Sequence, residues 1–270
     1  MVYSVILVTK LYQCRFSFAK IINMENFTNK IVVVTGGTSG IGYATAKEFS
    51  DRGAKVIITG RRKEVLDTAA RELGVDAYLA DQSKVADTGQ LVATIKEKYG
   101  QVDVLFINAG VAGVSTIADA TEEGYDRIMD INVRGAFFTL SRFIPILSDG
   151  ASVVFLSSNT ASMIRAGSAV YASGKMALNG IMKTAAVELA PRRIRVNAVS
   201  PGPTDTGILS KMGLDAASIP AITEHLVNVI PLKTMGHAAD VASMVVYLSS
   251  DAAKFTTGAE LVMDGGMSLG

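Results

Sequence analysis

One segment of the sequence combines residue types that suit acid–base catalysis. It runs from Ser157 to Lys175 and reads SSNTASMIRAGSAVYASGK. Within it, Ser158 precedes Tyr171 by thirteen residues, and Lys175 follows Tyr171 by four. Tyrosine, with a reference pKa near 10, is a poor proton donor at neutral pH unless a cation lies nearby. On a helix, an interval of four residues places Lys175 on the same face as the tyrosine.

The expected consequence of this arrangement is a lower tyrosine pKa. At an effective dielectric constant near 20, a unit charge about 4 Å away is worth roughly 4 kcal/mol, or about three pKa units, less the opposing effect of desolvation. We therefore expect the pKa of Tyr171 to fall from about 10 to about 7, which suits general acid–base catalysis.

The interval between the tyrosine and the lysine is weak evidence by itself. With 8 tyrosines and 14 lysines in 270 residues, about 0.4 such pairs are expected by chance. Tyr43 and Lys47 form a second pair, but the residue thirteen positions before that tyrosine is Lys30 rather than a serine. Because Tyr43 also opens a helix directly after a glycine-rich loop, we interpret the second pair as structural.

The glycine-rich loop TGGTSGIG, from Thr35 to Gly42, follows the apolar run IVVVT. Glycines let the backbone turn tightly and bring amide groups near a phosphate at the N-terminus of the next helix. The position of this loop between a strand and a helix predicts a dinucleotide-binding site. The residues expected to contact the cofactor here are Gly36, Thr38, Ser39, Gly40, Ile41 and Gly42.

The end of the second predicted strand indicates which dinucleotide binds. Proteins that bind NAD generally place a carboxylate there for the free ribose hydroxyl, whereas the 2′-phosphate of NADP calls for arginine. The sequence has Arg61 and Arg62, and the first acid beyond them is Glu64. We therefore expect NADP rather than NAD, with Arg61 as the main phosphate ligand. The alternative is that both arginines simply begin a helix.

From residue 30 onward, apolar runs alternate with helical patterns, which predicts βαβ units and a parallel sheet. The runs are almost continuously apolar, as expected of strands covered on both faces. We therefore predict one doubly wound, Rossmann-like α/β domain over residues 24–270. The predicted strands are 31–35, 55–59, 77–80, 102–108, 152–157, 194–200 and 260–264. The predicted helices are 41–52, 62–73, 84–99, 122–147, 170–190 and 238–250.

The longest stretch without a clear element is about 201–237. Long loops are often functional, and the apolar residues of this one would suit a lid over a substrate, over about residues 204–232. A pair of short surface helices would give the same pattern. The apolar residues in question are Ile208, Leu209, Met212, Leu214, Ile219 and Ile222.

Composition argues against several classes of function. The formal net charge is +1, from 26 basic and 25 acidic side chains without a block of like charge, so we expect no binding to nucleic acid. A single cysteine, Cys14, excludes an intrachain disulfide. With only two histidines in the sequence, we expect no histidine-rich metal site. The apolar run of residues 5–8 is too short to cross a membrane, and we expect a cytoplasmic protein.

Residues 1–23 differ from the rest of the chain because they contain no acidic residue. Their basic residues follow the apolar run, whereas a signal peptide carries positive charge before it. The segment is either a transit peptide or an extension upstream of an internal start at Met24. We favour the second interpretation, since the first predicted strand begins shortly after that methionine.

Together with three further motifs, the glycine loop and the serine, tyrosine and lysine resemble the short-chain dehydrogenase/reductase family. The further motifs are INAG at 107–110, INVRG with Asn132, and NAVSPGPTDT at 197–206. The resemblance covers about residues 26–270 and is nearest to NADP-dependent carbonyl reductases and 3-oxoacyl-carrier-protein reductases. It implies a sheet of seven parallel strands flanked by helices.

The resemblance also implies roles for four catalytic residues. Tyr171 would exchange the proton at the substrate oxygen, and Ser158 would hydrogen-bond the same oxygen. Lys175 would lower the tyrosine pKa and bind the nicotinamide ribose. Asn132 would hold a water that connects the lysine to solvent, although an asparagine there can also be a polar residue that bends a helix.

Further cofactor contacts follow from the same resemblance. Asp81 matches the contact to adenine, and the segment Asn108, Ala109 and Gly110 matches the position beside the adenine ribose. Pro201 and Gly202 would shape the nicotinamide pocket. Thr204 and Thr206 would lie near the carboxamide, or each could instead cap a helix.

The four-residue interval favours carbonyl reduction over enoyl reduction, because similar enoyl reductases place the lysine further from the tyrosine. Apolar side chains near the expected site, with Arg165 as the one nearby cation, suit a neutral ketone or aldehyde. They are Val111, Ala112, Ala161, Met163, Ile164 and Val170. The same side chains would also be consistent with ordinary core packing. One alternative is a carrier-protein thioester, which Arg127, Arg134 or Arg142 would help to bind. Another is a nucleotide sensor without catalysis.

Self-association is the remaining expectation. The predicted helices 122–147 and 170–190 carry apolar residues beyond one stripe, which suggests burial on more than one side. These residues are Phe137, Phe138, Phe143, Ile181 and Met182. The family resemblance implies a homotetramer built on these helices.

Overall fold

A seven-stranded parallel sheet forms the centre of the computed structural model, which describes residues 26–207, 215 and 217–269. The sheet strands are β1 (Ile31–Val34), β2 (Lys55–Gly60), β3 (Asp76–Leu79), β4 (Val102–Ile107), β5 (Leu147–Leu156), β6 (Arg195–Pro201) and β9 (Glu260–Met263). Their spatial order is β3-β2-β1-β4-β5-β6-β9, and each adjacent pair is parallel. The predicted Rossmann-like sheet is confirmed. Its strand order reverses between β1 and β4, where ligands of doubly wound folds bind.

Helices cover both faces of this sheet. They are α1 (Gly40–Asp51), α2 (Lys63–Leu73), α3 (Val85–Tyr99), α4 (Glu122–Met129), α5 (Ala136–Phe143), α6 (Ala169–Glu188), α7 (Ile219–Val229) and α8 (Ala238–Ser249). Consecutive residues of β1 point to opposite faces, so Val33 packs in the core under α3, α5 and α6. Val32 and Val34 pack in the second core, under α1, α2 and α8. This two-sided burial explains why the strands are apolar at nearly every position.

The helix predicted over 122–147 is interrupted in the structure. A π-helical segment, Asp130–Gly135, separates α4 from α5, and a 3₁₀ turn, Ile144–Ile146, follows Phe143. The next strand, β5, begins at Leu147 rather than at the predicted residue 152. Its pairing with β4 shifts register between Val102 and Val104, because the stretch 148–151 bulges around Gly150, whose φ is 81°.

The segment predicted to lack regular elements contains some. Thr204–Asp205 (β7) pairs with Gly236–His237 (β8), and α7 lies between them. Several residues of the expected lid, Ile208, Leu209, Met212 and Leu214, lie outside the described residues, as do residues 1–23, Met24 and Cys14. Among the helices that the structure describes, none is both long and apolar enough to cross a bilayer.

Candidate active site

The glycine loop lies between the end of β1 and the start of α1. Gly36 and Gly40 have φ angles of 68° and 57°, in the left-handed region that glycine tolerates best. A Cβ atom on Gly42 would lie 2.4 Å from the Gly36 carbonyl oxygen and 2.5 Å from Asn108 Nδ2. The loop therefore closes directly onto the end of β4, and its fold depends on glycine at these positions.

Thr35 joins the two strand ends that flank the cleft. Its Oγ1 accepts hydrogen bonds from the backbone nitrogens of Asn108 and Ala109, each at 3.0 Å. In return, Asn108 Nδ2 donates to the carbonyl oxygens of Thr35 at 2.8 Å and Gly36 at 3.0 Å. Sequence reasoning missed the role of Thr35, and its position at the junction of strand and loop was the available signal.

A cleft of about 450 Å³ opens beyond the carboxyl ends of β1 to β4. Most of the predicted cofactor residues line it: Gly36, Thr38, Ser39, Gly40, Ile41, Arg61, Arg62, Asp81, Asn108, Ala109, Gly110 and Thr206. Gly42 is buried behind the loop, and Pro201, Gly202 and Thr204 are not part of this lining. The glycine cradle, the start of a helix and the arginines at one end fit a phosphate-containing dinucleotide.

Arg61 and Arg62 lie exposed at the mouth of the cleft, just after β2. Arg62 is also the N-cap residue of α2, but its side chain makes no capping hydrogen bond. Within the described part of the chain, neither guanidinium forms an ion pair. Both cations are thus available to an anionic ligand in the cleft. If the two arginines only began a helix, they would not need to line the cleft.

Ser158, Tyr171 and Lys175 come together where β5 meets α6. Ser158 lies two residues beyond Leu156, the last residue of β5, and hydrogen-bonds the side chain of Tyr171. Lys175, one turn further along α6, has only 4% of its surface exposed. Its Nζ donates to the carbonyl oxygen of Leu156 at 2.7 Å and lies 5.6 Å from the centre of the Tyr171 ring.

The expected lowering of the tyrosine pKa is wrong for this structure. Desolvation raises the pKa of the Tyr171 hydroxyl, and the hydrogen bond with Ser158 opposes this shift without reversing it. The ammonium of Lys175 points at the Leu156 carbonyl rather than at the tyrosine oxygen, and burial lowers its own pKa to about 8. The prediction from the sequence named desolvation as an opposing effect, but its size depends on how the fold buries both groups.

Asn132 lies in the π-helical segment and is 1% exposed. Its Oδ1 accepts from the Val111 nitrogen, and its Nδ2 donates to the Val111 oxygen, both at 2.8 Å. The side chain therefore fixes the loop after β4. Val111 and Leu156 both line the cleft, so the partners of Asn132 and Lys175 connect these residues to it.

Asp264, at the end of β9, holds the loop that carries Ser158. Its Oδ2 accepts from Asn159 Nδ2 at 3.4 Å and from the Ser268 nitrogen at 2.9 Å. A Cβ atom on Gly202 would lie 2.5 Å from Asp264 Cβ, so the loop after β6 packs on the same carboxylate-bearing residue. Sequence reasoning did not identify Asp264 or Asn159 as supports of the site.

Replacing Asp264 with asparagine should destabilise the protein at neutral pH. Desolvation acts to raise the pKa of Asp264, but hydrogen bonds from Ser268, Asn159 and Gly266 lower it overall. A lowered folded pKa gives stability that is present above the unfolded value near 3.9 and is lost as pH falls through the folded value. We expect the free energy of unfolding to drop by about 1–3 kcal/mol at pH 7 and by less below pH 4.

Urea denaturation at pH 7, 5 and 3.5 measures this difference, and Asp126→Asn on an exposed part of α4 is the matched control. An equal loss at every pH would show that the carboxylate charge is not what stabilises the loop.

The last predicted site residues have local contacts. Thr204 Oγ1 donates to the Gly202 oxygen at 3.0 Å, and Thr206 Oγ1 donates to the Thr204 oxygen at 3.4 Å. A Cβ atom on Gly40 would lie 3.2 Å from Thr206 Cβ, so Thr206 packs across the cleft onto the glycine loop. Arg165 Nη2 lies 3.2 Å from the sulfur of Met267.

The pair Tyr43 and Lys47 lies on the surface of α1. Tyr43 hydrogen-bonds Glu72 at 3.1 Å, and Lys47 forms an ion pair with Asp51 at 2.6 Å. These contacts agree with the structural interpretation of this second tyrosine–lysine pair.

Together, the parallel sheet, the glycine loop and the cleft at the reversal of strand order define a dinucleotide-binding α/β protein. A family model described as enoyl-(acyl carrier protein) reductase matches residues 36–268. A 3α-hydroxysteroid dehydrogenase of Mediterraneibacter gnavus is 36% identical over 88% of this chain and 96% of its own length. A 3-oxoacyl-[acyl-carrier-protein] reductase of Thermotoga maritima is 34% identical over 89% of this chain and 98% of its own.

A solved structure shows the same likeness. The blue fluorescent protein from a metagenomic library, crystallised in complex with NADPH, superposes with a TM-score of 0.82 at 33% identity. The match covers 90% of this chain and 100% of that one. The chain belongs to the short-chain dehydrogenase/reductase family and is an NAD(P)-dependent oxidoreductase. The two relatives are named for different substrates, a hydroxysteroid and a carrier-bound 3-oxoacyl group, so family membership establishes the class of reaction alone.

Proposed function

We propose that this enzyme reduces the carbonyl group of a neutral, apolar ketone or aldehyde with NADPH. The observation that carries the proposal is the cluster of Ser158, Tyr171 and Lys175 beside a cleft, at whose mouth lie two arginines that form no ion pair with any described residue. The four-residue interval between tyrosine and lysine favours a carbonyl over an enoyl substrate. NAD is the alternative cofactor, but the sequence has no carboxylate at the end of β2 that could accept a hydrogen bond from its ribose hydroxyl.

Tyr171 is the proposed proton donor. Its hydroxyl would give a proton to the substrate oxygen as negative charge develops there. Ser158, which lies beside the tyrosine hydroxyl, would turn its own hydroxyl proton from the tyrosine to the same substrate oxygen. The ammonium of Lys175 would stabilise the tyrosinate that forms, because its charge lies 5.6 Å from the ring centre in a buried position.

Residues of the cleft would hold the cofactor. The glycine loop and the start of α1 would bind its diphosphate, Arg61 its 2′-phosphate, and Asp81 its adenine. Asn108, Ala109 and Gly110 would contact the adenine ribose. At the other end, Lys175 would bind the nicotinamide ribose, with Pro201, Gly202, Thr204 and Thr206 around the nicotinamide. When bound, the reduced nicotinamide supplies the hydride that the reaction requires.

NADPH consumption across a panel of ketones and aldehydes tests the proposal. We expect turnover on apolar carbonyl compounds and little on small charged keto acids. Binding of NADPH without turnover on any carbonyl compound would instead favour the nucleotide-sensing alternative.

The pH dependence should follow Lys175. Burial lowers the pKa of its ammonium to about 8, so the side chain is charged below that pH and neutral above it. We expect kcat for reduction to fall as pH rises through about 8, since the charge that stabilises the tyrosinate is lost. In Lys175→Arg, any remaining activity should not fall near pH 8, because arginine stays protonated. A profile of the same shape in both proteins would contradict this assignment.

A second candidate substrate is a 3-oxoacyl thioester on an acidic carrier protein. One relative carries that activity in its name, and Arg127 and Arg142 are exposed on α4 and α5. Arg134 and Arg142 both lie about 6 Å from the Phe138 ring, which groups them on one surface. Faster turnover of the carrier-bound thioester than of the same acyl group on N-acetylcysteamine, reduced by Arg142→Glu, would support this candidate.

We also propose a homotetramer. Phe143 and Met182 of the expected surface are core residues, but Phe137, Met176 and Val187 on α5 and α6 are 47%, 42% and 75% exposed. A second copy of the chain would cover these apolar side chains. Sedimentation equilibrium should give a tetramer, and Phe137→Asp should weaken it. A stable wild-type monomer would refute the proposal.

Residues 204–232 are proposed to act as a lid. Pairing of β7 with β8 joins the ends of this region, and α7 has no buried residue, although Ile222 and Leu226 are apolar. Hydrogen exchange in α7 should slow when NADPH and a substrate analogue are present.

A cytoplasmic location stays a prediction, which cell fractionation would test.

A further inference from the structure

Gln82 occupies an unusual position between the two halves of the cleft. It directly follows Asp81, the proposed adenine contact, and is 9% exposed. Its Nε2 donates to the Ala109 oxygen at 2.7 Å and to the Ile131 oxygen at 3.0 Å. Both amide protons are therefore used to connect the turn after β3 with the end of β4 and with the π-helical segment.

The π-helical segment rests directly on Gln82. A Cβ atom on Gly135 would lie 2.3 Å from the Gln82 backbone oxygen and 2.9 Å from its Cγ, so only glycine permits this approach. In a π-helix the backbone hydrogen bonds shift from the fourth to the fifth residue, and such segments occur frequently at functional sites. A donor from outside the helix thus fixes a segment whose own hydrogen bonding is irregular.

This segment carries Asn132, directly after the residue that Gln82 binds. Asn132 in turn makes two hydrogen bonds to Val111, two residues beyond Ala109. The side chains of Gln82 and Asn132 therefore fix the same two stretches, 109–111 and 131–132. Val111 lines the cleft.

The amide group of Gln82 has opposing effects on stability. Its Oε1 is buried and has no hydrogen-bond partner among the described residues. A buried acceptor without a partner lowers stability, and an apolar side chain of similar size would avoid that cost, but it would leave the Ala109 and Ile131 carbonyl oxygens without this donor. The two donated hydrogen bonds are the feature that an apolar residue could not replace.

We propose that Gln82 is a positioning residue that couples the adenine end of the cleft to the turn carrying Asn132. The proposal rests on the proposed reductase function. Because Gln82 acts through backbone carbonyl groups, its loss should disturb the alignment of residues 109–111 and 131–132 more than the affinity for the cofactor. It should therefore lower kcat rather than weaken NADPH binding.

The variant Gln82→Met keeps the length of the side chain and removes both donors. We expect kcat to fall about tenfold, with the Kd for NADPH, measured by its fluorescence, changed less than threefold. Hydrogen exchange of amides in 109–111 and 131–135 should accelerate. Gln90→Met, the same change at an exposed position on α3, is the control and should alter none of these quantities.

A second variant keeps the test valid if the first folds poorly. Gln82→Glu has nearly the same shape, lacks both donors when ionised and regains one when protonated. Its kcat relative to the wild type should therefore rise as pH falls from 8 to 5. A purely structural role would raise the folded fraction, measured by circular dichroism, in parallel with total activity, and kcat per folded enzyme would not change.

An unchanged kcat in both variants would overturn the proposal, as would a loss of NADPH affinity as large as the loss of kcat. If the wild type reduces no carbonyl compound, the proposed function fails, but hydrogen exchange and NADPH affinity still test the coupling. Unaltered exchange in 109–111 and 131–135 would then reject the positioning role independently.

Discussion

Replacing Tyr171 with phenylalanine should lower kcat for carbonyl reduction by about 10²- to 10⁴-fold, the usual contribution of a general acid. The change removes one hydroxyl, which hydrogen-bonds Ser158, and keeps the ring that packs near Lys175. NADPH affinity should therefore stay within a few-fold of the wild type. Steady-state kinetics, together with a fluorescence titration of NADPH, separates these two quantities.

The protein supplies a matched control for this experiment. Tyr43 also precedes a lysine by four residues, but it lies on α1, and its hydroxyl donates a hydrogen bond to Glu72 of α2. Tyr43→Phe should leave kcat nearly unchanged. Reduction that survives Tyr171→Phe at a wild-type rate would eliminate the proposed mechanism, whatever the cofactor.

Reversing the charge of Arg61 should change the preference between cofactors. A charge-assisted hydrogen bond from arginine to phosphate contributes about 1.5–3 kcal/mol, which corresponds to about 10- to 100-fold in affinity. Arg61→Asp also adds repulsion, so we expect the Kd for NADPH to rise about 100-fold. Binding of NADH, which lacks the 2′-phosphate, should weaken little or improve, since a carboxylate there can accept from the ribose hydroxyl.

The control is Arg71→Asp, the same substitution near the other end of α2, where Arg71 Nη2 donates a hydrogen bond to Thr68 Oγ1. It should leave both dissociation constants within about twofold of the wild type, because exposed charges at a distance are screened by salt. A wild-type protein that prefers NADH would defeat the NADP assignment.

Much of the fold was predictable because its signals are local. Each buried strand needs apolar residues on both faces, so runs such as those in β1 and β4 are recognisable without knowing their neighbours. The turn from β1 into α1 needs residues that tolerate a left-handed backbone, and Gly36 and Gly40 supply them. The intervals of thirteen and four residues between Ser158, Tyr171 and Lys175 can also be read directly from the sequence.

The errors arose where distant groups decide the outcome. Periodicity over 122–147 indicated one helix, but a π-helical segment, Asp130–Gly135, interrupts it, and Gln82 and Gly135 are in contact there. The pKa of Tyr171 was expected to fall, but desolvation of the hydroxyl depends on atoms from several elements and raises it. Neither the π-helical segment nor the desolvation of Tyr171 can be predicted from the intervals between residues.

The sequence by itself determined the class of fold, the location of the glycine loop and the identity of the proton-transfer residues that we propose. Only the tertiary structure decided which side chains hold them in place. Thr35 and Asn108 are separated by 73 residues, Gln82 and Ile131 by 49, and Asn159 and Asp264 by 105. Such pairs leave no local pattern, because the chain brings them together only when the strand ends meet at one edge of the sheet.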